Sequence, residues 1–216
     1  MLVVDGAGGY QTAPRSLATA VSEAHLPLYV RSFDWTHGRG RWLADQLDQA
    51  HPRCQAQRLA AEIHLYRPPC PGLPVSVVAF SAGSAAALAA AESLPPDSLE
   101  RLVLLAPAVS SGYDLRRALA SARQGLDVFT SEHDFLRLGL ATVVAGTADG
   151  KHQVAAGLHG FDSPSLSPAD AALAGRLRQH PWDPCMAWTG NLGTHMGYCR
   201  PAYLRAYVLP LLTQSE

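Results

Sequence analysis

A doubly wound α/β fold, with a mostly parallel sheet and helices on both faces, is predicted by two features of the 216-residue chain. Short β-rich apolar runs alternate with helical patterns from residue 2 to about residue 134, the alternation that βαβ units produce. Several of those runs are continuous: Val75, Val77, Val78 and Phe80 form one, and the Leu-Val-Leu-Leu stretch after Arg101 another. Continuous runs suit strands buried on both faces of a parallel sheet. With 48% hydrophobic residues and a mean hydropathy of +0.01, the chain has enough apolar material for one substantial core, and a single domain over residues 1–216 is expected.

The first strand is Leu2 to Asp5, followed by the glycine-rich loop Gly6-Ala7-Gly8-Gly9-Tyr10. Pro14 suits the first turn of a helix running to about Ala24. Pro27 to Phe33 is the second strand, with Asp34-Trp35-Thr36-His37-Gly38 as its loop. Helical patterns cover Trp42 to Gln49 and Gln55 to Tyr66, and Pro68-Pro69 ends the second of them. Val75 to Phe80 is the third strand, and Ser84 to Glu92 is rich in helix formers up to Pro95-Pro96. Arg101 to Leu105 and Leu126 to Thr130 are two further strands, with a helix from Asp114 to Gln124 between them. Beyond Asp134 the pattern weakens. A helix near Pro168 to Arg178, a last strand in Trp182 to Trp188, a loop over Gly190 to His195 and a closing helix from Pro201 to Leu212 complete the reading.

Charge and apolar runs exclude several classes of function. A formal charge of −1 without any run of like charges offers no basic field for nucleic acid. The longest apolar stretches, such as Leu102 to Val109, fall short of the ~20 residues that span a bilayer. The N-terminal residues Met1-Leu2-Val3-Val4 lead at once into glycines and do not read as a signal peptide, so a cytoplasmic location is expected. Cys54, Cys70, Cys185 and Cys199 have no spacing that suggests a zinc site, and reduced thiols are expected. Two disulfides are the alternative for an exported chain.

The chemistry is placed at residues 75–88, where a serine stands between an apolar strand and an alanine-rich helix. So sharp a corner strains the backbone of the corner residue and requires small neighbours, which Ala79, Ala82 and Gly83 supply. The corner lifts the Ser81 hydroxyl off the sheet and aims the first helical N–H groups, that of Ala82 among them, at an oxygen beside it. The stretch Ala79-Phe80-Ser81-Ala82-Gly83 resembles the nucleophile elbow of the α/β-hydrolase family, whose usual pattern is G-x-S-x-G; here alanine replaces the first glycine. The resemblance covers nearly the whole chain in element order. Members usually begin with an antiparallel pair of strands, whereas Met1 stands before what corresponds to the third. The resemblance therefore implies a minimal sheet of about six strands, without room for a helical lid between Ser81 and Asp134, and an open active site.

The resemblance also implies the roles. The order Ser81, Asp134, His195 is the one this family uses: Ser81 the nucleophile, His195 the general base and acid, Asp134 the carboxylate that orients the imidazole. Asp134 follows a strand at its carboxyl end, where sites of open parallel sheets form, and His195 sits in Gly193-Thr194-His195-Met196-Gly197. The other readings are an Asp134 that only caps the following segment, with Glu132, Asp127 or Asp114 in its place, and His133 or His159 as the base. The second oxyanion donor is expected from Gly8, Gly9 or Tyr10, with Gly9 and Tyr10 preferred. Trp35, Phe135 and Met196 lie next to these loops, as an acyl pocket or as core packing. The implied activity is hydrolysis of a carboxylic ester, thioester or amide of a small-molecule acyl substrate, with no cofactor or metal required. Two rivals stand beside it. One is a hydrolase-like scaffold that binds without turnover. The other is a dinucleotide site on Gly6-Ala7-Gly8 with Asp34, from which the third glycine is missing because Gln11 occupies its position.

Overall fold

A computed structural model of the chain describes residues 1–66, 75–134, 147–150, 153–162 and 171–213. Six strands form one parallel sheet: β1 (Leu2–Val4), β2 (Arg31–Phe33), β3 (Val77–Phe80), β4 (Leu102–Leu105), β5 (Leu126–Thr130) and β6 (Leu177–Pro181), in the order β2-β1-β3-β4-β5-β6. Burial follows that order. Every residue of β1, β3, β4 and β5 is buried, whereas edge strands β2 and β6 keep polar residues such as Arg31, Ser32 and Gln179 at the surface. The register pairs Val3 with Val78, Val78 with Val103 and Val103 with Asp127, so Asp127 lies in the interior of the sheet.

Helix α1 (Thr12–Glu23) connects β1 to β2, and α3 (His51–Tyr66) returns the chain from β2 to β3, preceded by the short α2 (Trp42–Leu47). The chain moves outward through α1 and back through α3, so right-handed crossovers put these helices on opposite faces. Helix α4 (Gly83–Ser93) packs beside α3 and α5 (Arg116–Ser121), while the closing helix packs on α1. Alanine-rich α4 is buried on nearly all sides, which its small side chains allow between the sheet and α3. The closing helix runs through Pro201–Tyr203, a π-helical Leu204–Val208 and Leu209–Thr213. Pro210, which has no N–H to donate, follows the wide turn.

The last strand differs from the sequence expectation. Leu177–Pro181 forms β6, where a helix to Arg178 was expected, and the described part of that helix is only Ala171–Ala174. The expected strand Trp182 to Trp188 instead contains the 3-10 helix Pro184–Thr189, started by Asp183 accepting the Cys185 N–H. An edge strand needs no continuous apolar run, and Leu-Arg-Gln-His-Pro offers none. The second strand is likewise shorter than Pro27 to Phe33. Pro68-Pro69 and Cys70 lie outside the described residues; Cys54, Cys185 and Cys199 are free.

Candidate active site

The corner after β3 is built by crowding. Ser81 has φ 53°, a left-handed conformation that costs a side-chain-bearing residue energy and persists only where surrounding bonds hold it. Ser81 N–H donates to the Leu105 carbonyl at 2.9 Å, and the Ser81 carbonyl accepts from Ser84 N–H and Ala108 N–H, each at 3.1 Å. Gly83 lets α4 approach β1: a Cβ there would lie 2.3 Å from the Asp5 carbonyl oxygen and 2.9 Å from that of Val4. Ala79, in the place of the first glycine of the elbow pattern, is an ordinary buried strand residue of β3. The tight contact therefore falls on the third position of small residues in this corner, Gly83.

Three side chains from distant segments meet here. His195 Nε2 lies 2.8 Å from Ser81 Oγ, and His195 Nδ1 lies 2.5 Å from Asp134 Oδ2. A carboxylate only accepts, so Nδ1 carries a proton and Nε2 presents its lone pair to the serine hydroxyl. Asp134 ends the 3-10 helix Glu132–Asp134 just past β5, and His195 begins another, His195–Cys199. Both are buried, at 4% and 7% exposure, while Ser81 is partly exposed. The Phe80 ring lies 4.8 Å from the His195 ring. Neighbouring Tyr198 is kept neutral, its phenol pushed up by burial and by the Asp134 charge.

Asn191, which sequence reasoning missed, organises the His195 loop. It is fully buried; its Oδ1 accepts from Gly193 N–H at 3.0 Å, and its carbonyl accepts the Trp182 indole N–H at 3.0 Å. Gly197 approaches it so closely that a Cβ would stand 2.0 Å from Asn191 Oδ1. An Asn-Leu-Gly turn two residues before a histidine is the only trace this leaves in the sequence.

The alternative carboxylates are engaged elsewhere. Asp127 binds Arg101, Arg178 and His180 inside the sheet, Asp114 pairs with Arg116 on the surface, and exposed Glu132 lies 3.5 Å from His159. His133 packs edge-on against Trp182.

Two further aspartates that sequence reasoning left unassigned shape the loop after β1. Asp5 caps α1 from a distance, its carboxylate accepting the Thr12 and Ala13 N–H groups at 2.8 and 3.0 Å. Asp45 Oδ2 accepts the Gly8 N–H at 2.7 Å. Gly8 is thereby committed, whereas the Gly9, Tyr10 and Ala82 N–H groups meet no acceptor among the described residues. Gly6 brings this loop against the corner: a Cβ there would lie 3.3 Å from Ser81 Cβ. Tyr10 and Met196 are exposed. Trp35 is a core residue at 1% exposure, its indole N–H donating to the Asp5 carbonyl at 2.7 Å, so it presents no surface to a substrate. Phe135 lies outside the described residues.

The corner sits beside the crevice between β1 and β3, where the sheet reverses its winding and where ligands of open α/β sheets bind. No family model and no curated protein matches the chain. Among solved structures, the chain is similar to the esterase Pf2001 of Pyrococcus furiosus, with a TM-score of 0.55 and 12% sequence identity over 98% of this chain and 80% of that one. The likeness is one of fold: an α/β fold of six parallel strands, of the kind an esterase uses. No described helix is long and apolar enough to cross a membrane.

Proposed function

We propose that the chain is a serine hydrolase of the α/β-hydrolase type that cleaves a carboxylic ester through an acyl-enzyme on Ser81. The observation that carries this reading is the hydrogen-bonded chain from Ser81 Oγ through His195 to Asp134. In this mechanism Ser81 Oγ attacks the ester carbonyl carbon while His195 Nε2 takes the hydroxyl proton. The imidazolium so formed is stabilised by Asp134 and returns the proton to the leaving alcohol. Water then attacks the acyl carbon, giving its proton to His195, and His195 passes that proton to Ser81 Oγ as the bond to the acyl carbon breaks and the carboxylic acid leaves.

Charge develops on the carbonyl oxygen in each tetrahedral intermediate. The N–H groups of Ala82 and of Gly9 or Tyr10 are assigned as its donors, supported by their lack of any other acceptor among the described residues and by the approach of the Gly6 loop to Ser81. One such donor is worth about 3 kcal/mol of transition-state stabilisation. The likeness of fold to a Pyrococcus furiosus esterase supports an ester as the bond cleaved.

Labelling by a fluorophosphonate, followed by peptide mapping, tests the reading. The expected result is one adduct on Ser81 and hydrolysis of short acyl p-nitrophenyl esters, both lost in a folded Ser81→Ala. A wild-type protein that is neither labelled nor active on acyl chains of any length would make it a binding scaffold instead.

A further inference from the structure

A second convergence of polar side chains lies on the loops after β2 and α2. His37, Asp48 and His51, the first residue of α3, each bring one potential ligand atom, and the three atoms lie within 4.8 Å of one another. The His37 and His51 rings are stacked, with centroids 3.8 Å apart.

The hydrogen bonds around this cluster leave acceptors unmatched by donors. Asp45, whose side chain is fully buried, accepts the His37 backbone N–H at 2.7 Å and lies 2.9 Å from ring Nδ1. Nδ1 is therefore the protonated nitrogen, and in a neutral ring Nε2 carries the lone pair. That lone pair faces Asp48 Oδ2, a second acceptor, at 3.3 Å. Asp48 is held in this orientation because its other oxygen accepts the Ala50 and His51 N–H groups, each at 3.2 Å. His51 Nε2 is shielded from solvent and has no hydrogen-bond partner among the described residues. Two acceptors thus face each other at His37 and Asp48, and a buried nitrogen is left over at His51. A bound cation relieves both.

We propose that His37, Asp48 and His51 bind a divalent transition-metal ion of the zinc class, with Asp45 as the carboxylate behind His37. Two imidazoles and one carboxylate are a donor set that suits zinc. Ligands at about 2.1 Å in a tetrahedral site stand roughly 3.4 Å apart, close to the present separation of His37 Nε2 and Asp48 Oδ2. Closing the remaining gap requires the ring of His51, partly exposed at the start of its helix, to turn out of its stack on His37. The site does not depend on the hydrolase reading. It touches that reading at one point, since the Asp45 carboxylate behind His37 also holds the Gly8 N–H.

The test is titration of chelator-treated full-length protein with Zn²⁺ alone, followed by calorimetry and by thermal unfolding. One equivalent is expected to bind and to raise Tm by about 5–10 °C at a hundredfold excess over Kd. His51→Gln and Asp48→Asn, the latter retaining a carbonyl to cap α3, each weaken binding more than about 100-fold, beyond what loss of an outer partner costs. Cys54→Ser, one turn along α3, and Cys185→Ser leave binding intact; both thiols are exposed. No heat and no Tm change up to millimolar Zn²⁺ would overturn the proposal. So would a response that survives both His51→Gln and Asp48→Asn, or one that disappears with a cysteine.

Discussion

Asp134 with His195 and Asp45 with His37 are the same device in two places: a buried carboxylate within hydrogen-bond reach of Nδ1 of an imidazole, at 2.5 and 2.9 Å. A third carboxylate, Asp127, meets Nε2 of His180 at 2.8 Å inside the sheet. What separates them is the group at the other nitrogen. His195 presents its free nitrogen to a serine hydroxyl held on a strained corner, and His37 presents its own to a carboxylate. His180 instead stacks on Phe129 and serves an ion network with Arg101 and Arg178. A carboxylate–imidazole pair is thus a general means of setting a ring's tautomer, and its use depends on the third partner.

The sharpest way to break this comparison is to remove the His195 imidazole, the base in the proposed mechanism. His195→Gln is expected to lower kcat by about 10⁴–10⁶-fold on a short acyl ester, as loss of either member of a nucleophile–base pair does, with the circular dichroism spectrum unchanged. Combining it with Ser81→Ala should cost little more than either alone. Asp134→Asn is expected to cost about 10²–10⁴-fold in kcat, because an amide that donates to Nδ1 selects the wrong tautomer and cannot stabilise the imidazolium.

Asp127→Asn should act on stability and leave kcat/KM within about threefold of wild type. Burial pushes the Asp127 carboxyl up, but hydrogen bonds from His180, Arg178 and Arg101 outweigh it and hold the group well below the ordinary carboxylate range. A depressed folded-state value contributes stability at neutral pH that is lost as pH falls below about 4 and Asp127 takes up a proton. Arg178 and His180 are partly exposed, so the loss expected at pH 7 is about 2–4 kcal/mol, seen as a urea midpoint shift. The gap between wild type and variant should stay constant above about pH 5 and begin to narrow as pH falls from about 4 toward 3, closing only at lower pH. Parallel curves from pH 7 to 3 would mean that the carboxylate charge contributes nothing.

Much of the sheet was legible because its central strands are dry. Leu102–Leu105 and Leu126–Thr130 are apolar enough to read directly, with Asp127 the one charged exception, explained by its bonds to Arg101, Arg178 and His180. β6 was hidden because an edge strand tolerates Arg178, Gln179 and His180, while the strand expected over Trp182 to Trp188 fell on a 3-10 segment. Around the candidate site, Ser81, Asp134 and His195 were readable as polar residues in small-residue or strand-terminal loops. Asp45 and Asn191 were not, because each satisfies backbone groups far away in sequence: Asp45 reaches Gly8 across 37 residues, and Asn191 takes the Trp182 indole while bonding Gly193. Trp35, next to a site loop in sequence, turned into the core for the same reason, since its indole N–H required the Asp5 carbonyl.

Ser81 and its imidazole are separated by 114 positions along the chain. At a ribosomal pace of 5–20 residues per second, about 6–23 s pass between the synthesis of one and that of the other. During that interval the growing polypeptide carries an unassisted alcohol, inert toward the cell's esters. Hydrolytic competence, on the reading proposed here, arrives only when the last quarter of the chain folds back over β3, so the enzyme is switched on by completing its own tertiary structure.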